Sequence, residues 1–267
     1  MTAPLPDAFR RRPQRPAIVG HRGVRPLAAD ARATGPVLVE NTLRAIQEAK
    51  RQGADAVEID VRACLSGEIV VFHDPDLVRL GGDGREVAKV SWPTLRAIDI
   101  GGDNVPLLAD VAALVRELGL GLNVEIKHDL PDRRAVVGPV AKLLSPLAGS
   151  IDLVVSSFDP TTLSLFRVAA PRICAAQLIH ESTYHDWAFR VARLLGAGVH
   201  VEATLAVPAR CRPFLGDPSH RRFVNAWTVN DPGEAHRLFD LGVDALITDA
   251  PARLMAAFAS TAREAAP

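Results

Sequence analysis

The chain has little of what builds covalent or aromatic frameworks. Its three cysteines, Cys64, Cys174 and Cys211, are scattered and show no C-x-x-C spacing. An odd, unclustered set supports neither a disulfide scaffold nor a thiolate metal site, and it fits a reducing compartment. Aromatic residues make up 5% of the chain, too few for an aromatic-rich binding surface but suited to stacked layers of aliphatic side chains. Net charge is missing as well: 31 Lys and Arg balance 31 Asp and Glu. No whole-molecule field therefore recruits nucleic acid or an anionic membrane, and attraction for an anion has to be local. No run of roughly 18 apolar residues occurs, so no stable membrane insertion is expected. The first twenty residues carry Arg10, Arg11, Arg12 and Arg15, but only the short apolar stretch Pro16 to Val19 follows them, far short of a signal-peptide core. These absences predict a cytoplasmic protein with a flexible tail over residues 1–16, a domain over residues 17–260 and a frayed Ala-rich C-terminal end.

What is present is alternation. Short β-branched runs alternate with longer Ala- and Leu-rich amphipathic runs, the pattern of βα units around a parallel sheet. Strands are expected at Ala17 to Gly20, Ala56 to Arg62, Leu122 to Ile126, Leu153 to Ser157, Ile173 to Ile179, His200 to Ala203, Phe223 to Val229 and Ala245 to Thr248. Helical patterns fill the gaps between them. Asn41 and Asp231 offer N-cap oxygens, and Gly53, Gly119 and Gly242 stand where helices close. Eight such units in 267 residues predict an α/β chain folded as a single (β/α)8 TIM barrel, although an open doubly wound sheet gives similar alternation. Val70 to His73 follows the second strand too closely for a helix and reads as its hairpin partner through Ser66-Gly67. Extended loops follow the first and second strands: Val24 to Val39, and Asp74 to Pro106. On a barrel, loops after strands lie on the face that carries active sites.

Chemistry concentrates at those strand ends. In Glu58-Ile59-Asp60-Val61-Arg62, strand alternation sends Glu58, Asp60 and Arg62 to one face, and in Glu125-Ile126-Lys127 it pairs Glu125 with Lys127. Like charges one pleat apart repel unless a cation, a proton or Arg62 compensates them. The bland alternative is an ion-pair network with Arg and Lys neighbours. Glu58, Asp60 and Glu125 form an oxygen-only set, which suits Mg²⁺ or Ca²⁺ better than Zn²⁺ and leaves positions open for a phosphate oxygen and water. His21 and His73 reach the same face, and phosphodiester cleavage needs one group to activate the nucleophile and another to protonate the leaving alkoxide. Arg22 and Lys127 can neutralise phosphate oxygens or balance the carboxylates. Glu40, in Glu40-Asn41-Thr42, is either a further ligand or acceptor at the site or part of a capping segment.

The ordered set His21-Arg22-Gly23, Glu40-Asn41-Thr42, Glu58-Ile59-Asp60-Val61, Val71-Phe72-His73-Asp74, Val124-Glu125-Ile126-Lys127, Ser156-Ser157-Phe158, Trp227-Thr228-Val229-Asn230 and Ile247-Thr248-Asp249 resembles the glycerophosphodiester phosphodiesterase family over roughly residues 17 to 251. The resemblance implies metal-dependent hydrolysis of glycerophosphodiesters to sn-glycerol 3-phosphate and an alcohol. It assigns His21 and His73 as the acid/base pair, Glu58, Asp60 and Glu125 as metal positions, Arg22 and Lys127 as phosphate contacts and Trp227 as a substrate-lining aromatic. The chain departs from the family in three places. The Arg-Thr-Thr-like run after His73-Asp74 reads Val78-Arg79-Leu80-Gly81, the Val24 to Val39 segment is longer than usual, and the family's larger inserted domain is absent. The attacking oxygen is either water or a hydroxyl of the substrate. Rival readings are a lysophospholipase D, with slight support from Leu27, Val37, Leu38 and Val39, and a non-catalytic phosphodiester-binding barrel. An aldolase-like barrel would want a lysine nucleophile in an apolar setting, whereas Lys127 stands beside Glu125.

Overall fold

The computed structural model describes residues 3–25, 38–129, 132–182, 184–215 and 222–264, the side chains of 261–264 excepted. In chain order the elements are β1 (Ala17–Gly20), α1 (Leu43–Arg51), β2 (Ala56–Ala63), β3 (Ile69–Val71), β4 (Asp76–Leu77), α2 (Val78–Gly81), β5 (Asp83–Glu86), α3 (Trp92–Leu95), α4 (Leu108–Leu118), β6 (Gly121–Ile126) and α5 (Arg134–Leu144). They continue with β7 (Leu153–Ser157), α6 (Pro160–Ala169), β8 (Cys174–Ile179), α7 (His185–Leu195), β9 (Gly198–Glu202), α8 (Pro208–Leu215), β10 (Val224–Trp227), α9 (Pro232–Leu241), β11 (Ala245–Thr248) and α10 (Pro251–Glu264). Strands pair in the order β1-β11-β10-β9-β8-β7-β6-β2, and β1 pairs with β2 to close the ring. The pairs around the ring are parallel, with β3 added antiparallel to β2. This is the (β/α)8 barrel read from the alternation, and closure excludes the open sheet.

Alternate residues of each strand serve different surfaces. On β2 and β6, Val57, Ile59, Val61, Leu122, Val124 and Ile126 pack outward against Val111 and Val115 of α4. The opposite set, Ala56, Glu58, Asp60 and Asn123 among them, faces the lumen. Small side chains at the lower end of the lumen leave a hollow, and residues of the N-terminal segment fill it. Phe9 is fully buried among Ala17, Val19, Ala56 and Ala245. A Cβ at Gly121 would come within 2.6 Å of Ala8 Cβ. Ala8 and Phe9, in the segment expected to be a flexible tail, therefore form part of the floor of the barrel. At the other end of the chain, α10 continues to Glu264, into the Ala-rich end expected to fray.

Two features of the upper face position the site. β2 overshoots its neighbours, turns through Ser66-Gly67 and returns as β3 with Val61 opposite Val71. The Phe72 amide then donates to the Asp60 carbonyl at 2.9 Å, which brings His73 back to the level of the carboxylates. The long segment that follows is not structureless: Leu77, Val87, Val90, Leu95, Ile100 and Val105 bury a small core against Val39, Val70 and Phe72. Of the Val24 to Val39 insertion, positions 26–37 lie outside the described residues, Leu27 and Val37 among them.

Candidate active site

Glu58 and Asp60 are the third and fifth residues of β2, and Glu125 stands opposite Asp60 on β6. One carboxylate oxygen from each lies within 4.8 Å of the other two, and all three residues are buried. Burial, together with Asp60 and Glu125, holds the Glu58 carboxyl well above the usual range. Burial and Asp60 push Glu125 up to about 7. Asp60 is also buried, but Lys127 and Arg22 outweigh that and hold it below the ordinary value. The cations in place are thus fewer than the carboxylates need. Lys127 Nζ donates to Glu125 Oε1 at 2.7 Å and Asp60 Oδ1 at 3.2 Å, and Arg22 Nε lies 3.3 Å from Asp60 Oδ2. Glu58 Oε2 accepts the Arg22 amide at 2.9 Å, while its Oε1 is buried with no donor. An oxygen-only triad with an unmet acceptor and two carboxyls raised by burial fits a hard divalent cation, which would supply the missing positive charge.

Arg22 itself is held in an unusual place. Among the described residues, Arg22 (φ 54°) and Asn41 (φ 61°) are the non-glycine positions with positive φ, a region that costs an L-residue roughly 1–2 kcal/mol. Both are pinned, since the Asn41 amide donates to the Arg22 carbonyl at 2.9 Å. Gly20 permits the tight return, because a Cβ there would stand 2.2 Å from the Gly23 carbonyl oxygen. Asn41 does not cap α1 as expected. Thr42 does, with its side chain accepting from the Ala45 amide, and this frees Asn41 to donate to Asp60 Oδ2 at 2.8 Å while accepting the Asp60 amide at 3.1 Å.

Each histidine has a carboxylate on Nδ1. His21 Nδ1 lies 2.7 Å from Asp249 Oδ1, and His73 Nδ1 lies 2.7 Å from Asp74 Oδ1. With Nδ1 engaged, Nε2 is the nitrogen left to exchange a proton with a bound molecule. Burial lowers the His73 pKa against the opposing pull of Asp60. Asp249 stays well below its usual value, because bonds from His21, Arg25 and Asn230 outweigh its burial. The two pairs are joined through Glu40. That buried carboxylate accepts from Arg22 at 2.7 Å and Arg79 at 2.6 Å and lies 3.8 Å from Arg25. Arg25 also holds Asp249, and Arg79 also holds Asp74. Glu40 is therefore an acceptor for arginines, outside the carboxylate triad and outside the helix cap.

His21, Arg22, Glu40, Glu58, Asp60, His73, Glu125 and Lys127 fall in one contiguous network. Trp227 stands apart at the end of β10: its Nε1 donates to the His200 carbonyl at 3.0 Å, and its ring meets Phe158 edge-on at 5.7 Å. Phe158 also contacts the rings of His128 and His180, so this side of the mouth is aromatic where the other is charged. Sequence reasoning gave no role to Asp74, Asp249, Arg25 or Arg79, and it read Asn41 as a helix cap. The signal for Asp74 was its adjacency to His73. For Asp249 it was the closing strand pair, in which Gly20 lies opposite Thr248.

The chain matches the glycerophosphoryl diester phosphodiesterase family over residues 21–253. It belongs to that family. The chain is accordingly a phosphodiesterase. A relative from Mycobacterium tuberculosis, described as a probable glycerophosphodiester phosphodiesterase 1, is 36% identical over 269 residues, covering 90% of this chain and 92% of the relative. The same fold occurs in a putative glycerophosphoryl diester phosphodiesterase from Silicibacter pomeroyi, at 23% identity and TM-score 0.80 over 96% of this chain and 97% of that one. It occurs again in an Oleispira antarctica phosphodiesterase solved in complex with the product sn-glycerol-3-phosphate, at 23% identity and TM-score 0.77 over 91% and 97% of the two chains. No helix among the described residues is long and apolar enough to cross a membrane.

Proposed function

We propose that this family member hydrolyses glycerophosphodiesters to sn-glycerol 3-phosphate and an alcohol, with Glu58, Asp60 and Glu125 holding Mg²⁺ or Ca²⁺ and with His21 and His73 moving the protons. The observation that carries the reading is the pairing of two His–Asp couples with an under-compensated carboxylate triad on one barrel face. The product bound by the Oleispira antarctica neighbour supports the substrate class.

When bound, the cation would supply Lewis-acid charge to a phosphate oxygen. Arg22 and Lys127 flank the triad and would draw further negative charge from the phosphoryl group as it builds in the transition state. One imidazole takes the proton from the attacking oxygen at Nε2 while the other gives a proton to the departing alkoxide at Nε2. Asp74 and Asp249 fix the ring tautomers and stabilise whichever imidazole is charged. The Phe158 and Trp227 wall would receive the carbon skeleton of the substrate.

The test is release of sn-glycerol 3-phosphate from glycerophosphocholine and glycerophosphoethanolamine, with Mg²⁺, with Ca²⁺ and with EDTA. Metal-dependent release that disappears in Glu58→Ala supports the reading. Cleavage of lysophospholipids in place of these diesters replaces it with a lysophospholipase D. Binding without turnover of either class replaces it with a phosphodiester-binding barrel.

A further inference from the structure

One buried cation at the mouth is used by none of these steps. Alternation along β2 puts Arg62 on the face of Glu58 and Asp60, where the carboxylates should attract it. Its guanidinium goes elsewhere. Nε and Nη2 both donate to the backbone carbonyl of His73, at 3.0 and 2.7 Å, and Nη2 also donates to Asp129 at 2.9 Å. The Arg62 side chain is 6% exposed, against 39% for Asp129. Burying a guanidinium for one carbonyl and one half-exposed carboxylate is costly, and an apolar side chain of similar size would fill the space at less expense to stability.

The carbonyl that Arg62 holds belongs to the residue with the proton-transfer role. β3 ends at Val71, and the Phe72 amide makes the last ladder bond before His73. Beyond that point the peptide of His73 has left the sheet, and Arg62 replaces the missing strand partner. The far end of the clamp, Asp129, lies two residues after Lys127, whose ammonium touches Asp60 and Glu125. Arg62 thus spans from the loop that carries Lys127 to the backbone of His73. Beside it is a cavity of ≈ 490 Å³ lined by Arg62, Cys64, Leu65, Pro75, Asp129 and Val136, with exposed Leu65 at its edge. A small solute can therefore reach the place the guanidinium occupies.

We propose that Arg62 is a positioning residue: it clamps the His73 carbonyl so that the imidazole keeps its place relative to the carboxylate triad. This rests on the reading of His73 as an acid or base. A fork of two donors on one carbonyl resists both sliding and rotation of that peptide, which a single ammonium does not. Loosening it lets the ring drift from the reacting oxygen, and a displacement of about 1 Å in such a group can cost on the order of 10²-fold in rate.

The experiment compares wild type, Arg62→Ala and Asp129→Asn on glycerophosphocholine with the metal bound. Arg62→Ala should lose about 10²-fold in kcat with KM little changed, and Asp129→Asn about 10-fold, as for other partners one layer behind a reacting group. Guanidinium at millimolar concentration, far below the denaturing range, should enter the cavity and restore part of the Arg62→Ala turnover while leaving wild type unaffected. Amide exchange in the peptide spanning Phe72 to Asp74 should quicken in Arg62→Ala. Undiminished kcat in Arg62→Ala, or a loss that guanidinium does not lift, overturns the clamp. So does unchanged exchange at Phe72 to Asp74, which is readable even if no diester is hydrolysed. Failure of the functional reading shows separately, as an inactive wild type.

Discussion

The floor and the mouth of this barrel both gather charge, half-buried at the floor and buried at the mouth, but they treat it in opposite ways. At the floor, Asp55 accepts from Arg15 at 2.6 and 3.0 Å, from Arg12 at 3.4 Å and from the Ile18 amide at 2.8 Å. Ala8 donates to Asp152 at 2.8 Å, and Phe9 plugs the hollow between them. At the mouth, three carboxylates crowd together, one oxygen of Glu58 has no donor, and two carboxyls stay raised. The floor is closed and contributes stability. The mouth is left short of positive charge, which costs stability and suits the cation and phosphate proposed for it. Closed and open networks of similar composition thus mark the two ends of the fold, structural and chemical.

The sharpest way to break this contrast is to exchange the consequences of mutating each end. His73→Ala should lower kcat by on the order of 10²–10⁴-fold and leave the urea unfolding midpoint near that of wild type. At the other end, Phe9→Ala should cost about 3–5 kcal/mol of stability through the cavity it leaves, with kcat unchanged at temperatures where the protein stays folded. A large kcat loss in Phe9→Ala, or a large stability loss in His73→Ala, would erase the distinction.

Between the two ends lies His200, fully buried, with burial pushing its pKa down to about 3. In the unfolded chain an imidazole binds its proton near pH 6.5, so from there down to about 3 the unfolded state holds more protons than the folded one. Stability from this residue is therefore fully present above about pH 6.5 and is lost as pH falls, at up to roughly 1.4 kcal/mol per pH unit. Urea denaturation at several pH values should give that slope, and His200→Gln should flatten it. A smaller effect sharpens the comparison from the other side. In metal-free protein, Glu58→Gln should raise stability by about 1–2 kcal/mol, because it removes a repelled carboxylate, while abolishing turnover; a destabilised Glu58→Gln would mean the mouth is already balanced.

Much of this was legible in the amino-acid pattern. Strands buried on both faces leave continuous β-branched runs, so the eight barrel strands and the β2–β3 hairpin were readable, with ends off by one or two residues. The carboxylate triad followed from side-chain alternation on β2 and β6. What stayed hidden depended on contacts between distant segments. Phe9 looked like part of a basic tail because nothing local reports the hollow left by Ala17, Ala56 and Gly121. Asn41 looked like a cap because Asn and Thr compete for that place and only the fold decides which one is used. Arg62 looked like a counter-ion for Glu58 and Asp60, whereas the hairpin return offers it the His73 carbonyl. Asp249 is separated from His21 by 228 residues, and only ring closure makes them neighbours.

Whether the mouth is short of positive charge so that it can take a divalent cation is read by calorimetric titration of metal-free protein with Ca²⁺ or Mg²⁺ near neutral pH in buffers of different ionisation enthalpy. One cation should bind with release of protons, since the raised carboxyls of Glu58 and Glu125 must ionise to ligate it, and that event should be lost in Glu58→Gln. Absence of binding, or binding that Glu58→Gln leaves intact, would contradict it.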